Sequence, residues 1–194
     1  MPDRILLVRH TKPSVANGVC YGRADVPLAP SASSDMARCL AGLPVADRIF
    51  TSPSSRCRRL ASALGERDGV MAIDDPRLLE LDFGRWEGVP WDSIPRDAID
   101  RWALDPMNEP AGGGERLCDL WSRISSFHRE VISAAAGTTA IVGHHGSLRA
   151  LRAQLEGLAP EAIWDIQIPY GGFLDLEFRS RVNAADSDIV AGRP

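Results

Sequence analysis

No apolar run in this 194-residue chain approaches the roughly 18 residues that a membrane-spanning helix requires. The formal net charge is −4, from 22 Lys and Arg against 26 Asp and Glu. The chain therefore lacks the positive excess that general binding to nucleic acid or to an anionic membrane would need. Its N-terminus leads straight into a predicted strand without the pattern of a signal peptide. We expect a cytoplasmic protein without nucleic-acid or membrane partners.

Metal and nucleotide signatures are also missing. The four cysteines, Cys20, Cys39, Cys57 and Cys118, contain no C-x-x-C pair, which argues against a zinc knuckle or a dithiol site and favours free thiols. The glycine run at 112–114 lacks the Lys-Ser/Thr of a phosphate-binding P-loop and is typical of a flexible loop before a helix. The sequence predicts no metal and no cofactor.

Histidines follow two predicted strands at the point where each strand ends. The apolar run at 5–8 leads into Arg9 and His10, and the run at 138–142 leads into Gly-His-His at 143–145. Continuous apolar runs of this length are typical of strands buried on both faces of a parallel sheet. Ligands of open α/β sheets bind just beyond the carboxyl ends of the strands. Three of the four histidines therefore mark a candidate site.

Strands alternate with helical patterns along the whole chain, which predicts a three-layer α/β/α sandwich with a mostly parallel central sheet. At this length and 44% apolar content we expect one domain over 1–194, with a small lid-like insertion at about 90–114 and a loose tail at about 179–194. The predicted strands are 5–8, 47–52, 69–73, 138–142, 166–168 and 172–178, and the predicted helices are 31–40, 53–67, 96–104, 115–136 and 147–154. The second helix is predicted to open on Pro53, as proline favours the first helical position.

Five side chains have the chemistry of phosphoryl transfer. Arg9 and Arg56, the latter in the first turn of a predicted helix, can grip a phosphate with bidentate geometry. A neutral histidine, His10 or His144, can attack phosphorus through a ring nitrogen, while the other, protonated, stabilises the charge that develops. A carboxylic acid of raised pKa can protonate the leaving oxygen and then activate water, and Glu80 is the candidate.

Several of these residues have a plainer interpretation. Each could be a surface residue or a satisfied loop residue, and spacing alone does not select Glu80 over Glu87. The pair His144 and His145 could suggest a metal site, but no carboxylate or cysteine flanks it at ligand spacing. Arg149 is predicted to lie on a helix surface or to support the site, and in neither case to touch the ligand.

Three tryptophans, Trp86, Trp91 and Trp102, cluster in and beside the predicted insertion. They could pack a small subsidiary core, or they could offer a stacking face to an aromatic leaving group. The sequence does not choose between these roles.

Four separated motifs occur in an order that resembles the histidine phosphatase superfamily, in its phosphoglycerate-mutase-like branch. They are Arg-His-Thr at 9–11, Ser-Pro-Ser-Ser-Arg at 52–56, Glu80, and Gly-His at 143–144. The resemblance covers residues 4 to 178. It implies that His10 is the phosphorylated nucleophile, that Arg9, Arg56 and His144 bind phosphate, that Glu80 donates the proton, and that no metal is needed.

Within the superfamily, the stretches at 20–28 and 80–88 and the threonine after Arg-His look like the α-ribazole phosphatase subfamily. This resemblance implies hydrolysis of α-ribazole 5′-phosphate in cobalamin biosynthesis, with Asn17, Tyr21 and Gly22 contacting substrate. The alternatives are a phosphoglycerate mutase, a broad sugar-phosphate phosphatase, or a catalytically silent module that binds phosphorylated ligands. The partner is a small phosphorylated metabolite in each enzymatic case, and a homodimer is compatible with the sequence.

Overall fold

The computed structural model describes residues 2–178, so the predicted tail at 179–194 lies outside the described residues. The strands are β1 (Arg4–Arg9), β2 (Arg48–Thr51), β3 (Ala72–Asp74), β4 (Thr138–Gly143) and β5 (Phe173–Glu177). The α-helices are α1 (Ala32–Gly42), α2 (Ser55–Asp68), α3 (Arg96–Leu104), α4 (Leu117–Phe127) and α5 (His145–Leu155). Within residues 2–178, no helix combines the length and apolar character of a membrane span.

The five strands form one sheet in the order β3-β2-β4-β1-β5. All neighbours run parallel except β5, which pairs antiparallel with β1. The predicted, mostly parallel sheet is therefore confirmed. Because β1 and β4 pair with Arg9 opposite Gly143, the two strand ends that carry histidines lie side by side.

Side chains of each central strand alternate between two separate cores. In β1, Leu6 and Val8 pack against α1 and α2, whereas Ile5 and Leu7 pack against α4 and α5. This is the period-two geometry of a strand buried on both faces, and it explains the continuous apolar run in the sequence. The helices cover both faces of the sheet, which gives the predicted three layers.

Two predicted element boundaries in the first half of the chain are wrong. Pro53 does not open the second helix, because α2 begins at Ser55 with Ser54 as its N-cap. The third strand is Ala72–Asp74 and not 69–73. Gly69 instead ends α2 in the left-handed conformation, with φ of 71°, as glycine commonly does after a helix.

Two further predictions differ in the second half. The long helix predicted over 115–136 is α4 from Leu117 to Phe127, followed by one π-helical turn from His128 to Ile132. Residues 166–168 do not form a strand. Their backbone groups bond to side chains: the carbonyl of Ile168 accepts from Arg9, and that of Ile166 accepts from Arg149. The predicted helix at 96–104 is confirmed as α3.

Candidate active site

His10 lies directly after β1 and is only 2% exposed. Its backbone N–H bonds to the carbonyl of Gly143 on β4 at 3.1 Å, which ties the two strand ends together. Its Nδ1 lies 2.8 Å from the carbonyl oxygen of Thr11. A carbonyl only accepts, so Nδ1 carries the proton and Nε2 carries the lone pair. Burial, with Arg56 as the next cause, lowers the pKa of His10 to about 3, so the ring is neutral near pH 7.

His144 is the N-cap residue of α5 and is fully enclosed. Its Nδ1 accepts a hydrogen bond from Nη2 of Arg56 at 3.2 Å, so Nε2 carries the proton and donates to the hydroxyl of Ser52 at 2.8 Å. The rings of His10 and His144 have centroids 5.2 Å apart and meet edge to face at 67°. Burial, followed by His10 and Arg56, lowers the pKa of His144 well below its usual value. The ring is therefore neutral near pH 7 in the ligand-free site, and the protonated second histidine that the sequence predicts during phosphoryl transfer stays a prediction.

Arg56 is completely buried and is held by the loop that follows β1. Its Nη1 donates to the carbonyl of Ala24 at 2.8 Å and its Nη2 to that of Gly22 at 2.5 Å. On the other side of the site, Nη1 of Arg9 donates to the carbonyl of Ile168 at 2.7 Å. Among residues 2–178, the buried Nε of each arginine has no hydrogen-bond partner. Such buried orphan donors are rare unless a ligand completes them.

Glu80 faces the first turn of α5. Its Oε2 accepts from the backbone N–H of Gly146 at 2.9 Å, and its Oε1 accepts from those of Ser147 at 3.2 Å and Leu81 at 3.0 Å. The N–H groups of Gly146 and Ser147 lie in the first turn of α5, where backbone N–H groups have no partner within the helix, so the carboxylate of Glu80 satisfies both. Glu87, the alternative that spacing left open, instead accepts from the backbone N–H groups of residues 23, 24 and 83 and so braces the loop that holds Arg56.

A cavity of about 400 Å³ opens over these groups. Five predicted residues line it together: Arg9, His10, Arg56, Glu80 and His144. The cavity wall also contains Asn17, Tyr21, His145, Lys12 and Arg149. The structure thus brings together side chains from four separated motifs, as the sequence predicted they would meet.

Gly22 has a different position from the substrate contact that the sequence predicted. It is not part of the cavity wall, and its carbonyl holds Arg56. A Cβ built at Gly22 would lie 2.1 Å from the backbone oxygen of Leu81, so only glycine fits there. His145 accepts a bond at Nε2 from the N–H of Ile168 at 3.4 Å, and burial followed by Arg9 lowers its pKa to about 4.

Aromatic side chains form the wall of the cavity away from the histidines. Phe83, Trp91, Trp102 and Trp164 all line it. Trp102 meets Phe83 edge-on at 6.2 Å and Trp164 at 6.2 Å between ring centroids. Trp86 lies behind them, 9% exposed and packed against Trp91 and Trp102. Trp86 therefore belongs to the core, whereas Trp91 and Trp102 both pack against this core and line the cavity.

Sequence reasoning missed two residues that touch the predicted set. Ser52 is the first residue of the motif at 52–56, yet the sequence pattern did not predict that its hydroxyl accepts a hydrogen bond from His144. Tyr170 stacks on Arg9, with the guanidinium carbon 3.8 Å from the ring centroid, and its own ring lies 5.6 Å from that of His10. It has no sequence signal because it lies far from the motifs along the chain.

Among residues 2–178, no three His, Cys, Asp or Glu side chains gather into a metal-binding group.

Comparison with known proteins identifies the family. The model of the histidine phosphatase superfamily, branch 1, matches residues 5–187, so the chain belongs to this superfamily of phosphatases and mutases. A relative named putative phosphoserine phosphatase 2, from Hydrogenobacter thermophilus, is 29% identical over 180 residues, or 89% of this chain and 88% of that protein.

Solved structures share the fold. The α-ribazole phosphatase from Shigella flexneri aligns with a TM-score of 0.81 at 23% identity, covering 91% of each chain. A mycobacterial glucosyl-3-phosphoglycerate phosphatase aligns with a TM-score of 0.80 at 24% identity, covering 90% of this chain and 92% of the other. At these identities the alignments establish the α/β architecture. The protein is a phosphomonoesterase of the histidine phosphatase type.

Proposed function

We propose that the protein hydrolyses its phosphomonoester through a phosphohistidine on His10. The observation that carries this proposal is the fixed tautomer of that ring, with Nδ1 donating to Thr11 and the Nε2 lone pair left for attack. A neutral, oriented imidazole is the form that a histidine nucleophile requires. Attack by Nε2 forms the N–P bond as the ester P–O bond breaks.

The two arginines and His144 bind the transferring group in this mechanism. The unpartnered Nε groups of Arg9 and Arg56 are donors available to phosphoryl oxygens. A bound phosphate dianion beside His144 would favour its protonated form and so offset the depression of its pKa. Glu80 in its acid form protonates the leaving oxygen, and as a carboxylate it takes a proton from the water that attacks phosphohistidine.

For the substrate, we propose α-ribazole 5′-phosphate. Trp91 and Trp102 come from the predicted insertion, and together with Phe83 and Trp164 they give the leaving group a broad aromatic surface. A planar aromatic base such as that of α-ribazole gains stacking energy on such a surface. Among residues 2–178, Glu80 supplies the only carboxylate that lines the cavity, so the ammonium of a phosphoserine would find a single acidic partner there.

A second candidate is a substrate that carries a carboxylate, as phosphoglycerates do. Besides the two phosphate arginines, Lys12 and Arg149 also line the cavity, so its wall carries four cationic side chains and one carboxylate within the part of the chain that the structure describes. A phosphate dianion alone leaves a positive excess, which a second anionic group would balance. This observation keeps the mutase and phosphoglycerate phosphatase alternatives under test.

The test is phosphate release from a substrate panel with chelator present and no added metal. The panel contains α-ribazole 5′-phosphate, phosphoglycerates, phosphoserine, simple sugar phosphates and nucleotides. We expect the highest kcat/KM for α-ribazole 5′-phosphate, and a selective loss of that preference in Trp102→Leu. Equal turnover across the panel would reject the substrate proposal, and isomerisation of phosphoglycerate without phosphate release would establish a mutase. Absence of turnover with every phosphomonoester would reject the enzymatic proposal.

A further inference from the structure

Tyr170 occupies the loop that leads into β5 and lies against the phosphate-binding side of the cavity. The guanidinium carbon of Arg9 is 3.8 Å from the centroid of its ring, which is a close cation–π stack. The same loop is tied to the nucleophile, since the N–H of Gly171 donates to the carbonyl of His10 at 3.1 Å. Tyr170 therefore forms one wall of the pocket that holds Arg9.

Tyr21 has the matching position beside the second phosphate arginine. Its ring centroid lies 5.7 Å from the guanidinium carbon of Arg56. The hydroxyl oxygens of Tyr21 and Tyr170 are 2.5 Å apart, so the two side chains join across the cavity. Burial, followed by the hydrogen bond with Tyr170, raises the pKa of Tyr21, so its hydroxyl stays protonated and able to donate. This tyrosine bridge, Tyr21 with Tyr170, links the loop after β1 to the loop before β5.

The backbone contacts of Arg9 do not fix its guanidinium by themselves. Among residues 2–178 the head of Arg9 makes one hydrogen bond, from Nη1 to the carbonyl of Ile168, and no ion pair within 4.0 Å. Arg56, in contrast, has two carbonyl acceptors and His144 around its head. An arginine with one anchor depends on its stacking partner for orientation, because its long side chain otherwise samples several rotamers.

We propose that Tyr170 is a positioning residue for phosphate binding, which aligns Arg9 by stacking and is itself held by the hydroxyl of Tyr21. The residue acts through Arg9 and does not itself contact the reacting atoms. The proposal rests on the proposed function only in taking phosphate as the ligand of Arg9.

Binding of inorganic phosphate, measured by calorimetry on the full chain, tests the positioning directly. A cation–π stack that is partly desolvated corresponds to about a tenfold change in affinity. We expect Tyr170→Leu to weaken phosphate binding by about tenfold, and Tyr170→Phe, which keeps the ring, to weaken it by about threefold at most. In an Arg9→Met background the Tyr170→Leu change should have no further effect.

The hydroxyl bridge is tested by a second cycle. If the two hydroxyls act only through each other, Tyr21→Phe, Tyr170→Phe and the double variant will show the same phosphate affinity. With substrate, Tyr170→Leu should raise KM, whereas Tyr170→Phe should leave KM close to the wild-type value. If Tyr170 only supported the fold, its substitution would instead lower the Tm without changing the phosphate affinity.

The outcomes separate this inference from the function on which it rests. Equal phosphate affinity in the wild-type protein and Tyr170→Leu would overturn the positioning role, even if turnover is normal. If Tyr170→Leu weakens phosphate binding in the wild-type background but not in the Arg9→Met background, the positioning role is supported. This holds even if no phosphomonoester is turned over and the proposed function fails.

Discussion

Gly146→Ala should disable Glu80 while leaving the helix that carries the substitution intact. Gly146 lies in the first turn of α5, and a Cβ built on it would lie 2.4 Å from Oε1 of Glu80. Ordinary contact begins near 3.4 Å, so the carboxylate must move by about 1 Å. That movement breaks or lengthens its bonds to the N–H groups of Gly146 and Ser147.

The size of the effect follows from that displacement. A misplacement of about 1 Å in a catalytic group can lower the rate by roughly 100-fold. Stability should change little, because alanine favours a helix over glycine by about 1 kcal/mol and this gain opposes the loss of hydrogen bonds. We therefore expect kcat to fall about 100-fold with a free energy of unfolding within about 1 kcal/mol of the wild-type value.

The assay compares two leaving groups under single-turnover conditions. An alkyl phosphate needs a proton from Glu80 as its oxygen departs, whereas an activated aryl phosphate does not. Phosphoenzyme formation should slow strongly for the alkyl substrate and weakly for the aryl one. Gly42→Ala in α1, whose Cβ would meet only the ring of Phe173 at 3.4 Å, is the matched control. Wild-type rates with the alkyl phosphate in Gly146→Ala would refute the role given to Glu80.

Two further predictions concern the buried histidines. Ser52→Ala removes the hydroxyl that accepts from the N–H of His144 at 2.8 Å. We expect the free energy of unfolding, measured by denaturant titration, to fall by about 1–3 kcal/mol and kcat to fall as well. Unchanged values of both quantities would contradict the assigned hydrogen bond. Because burial, followed by Arg56, lowers the pKa of His10 to about 3 in the folded state, the unfolded chain binds a proton that the native protein does not as the pH falls from about 6.5 to 3. The contribution of His10 to the free energy of unfolding is therefore complete above about pH 6.5 and is lost on acidification by at most about 1.4 kcal/mol per pH unit. Denaturant titrations from pH 7.5 to 4.5 should show that the free energy of unfolding falls less steeply with pH in His10→Gln than in the wild type. Equal slopes would contradict the neutral, buried ring.

The sequence could predict the residues that local patterns mark. Apolar runs that end in Arg9 and His10, or in His144, combine a buried strand with polar chemistry at its end, and parallel pairing then forces these ends together. The same rule located the cavity. Spacing alone could not separate Glu80 from Glu87, because both are carboxylates in one irregular stretch. The family resemblance favoured Glu80, and the structure separates the two by the backbone N–H groups that they meet.

Other features depend on contacts between distant segments. Residues 166–168 have an apolar pattern like that of a strand, but their backbone groups are taken by Arg9, Arg149 and His145, which local periodicity cannot reveal. Tyr170 reaches Arg9 only because β5 returns antiparallel beside β1. Gly146 lies just before the helix predicted at 147–154, and its requirement for glycine comes from Glu80, 66 residues earlier in the chain.

The central claim is that Nε2 of His10 carries the phosphoryl group between substrate and water. The most direct measurement is to mix the protein with excess phosphomonoester, quench it within the first turnover under alkaline conditions that preserve phosphohistidine, and locate the label by peptide mass spectrometry. We predict one phosphoryl group, acid-labile and confined to His10, that is absent from His10→Ala although this variant folds. A label on another residue, or full turnover by folded His10→Ala, would contradict the mechanism.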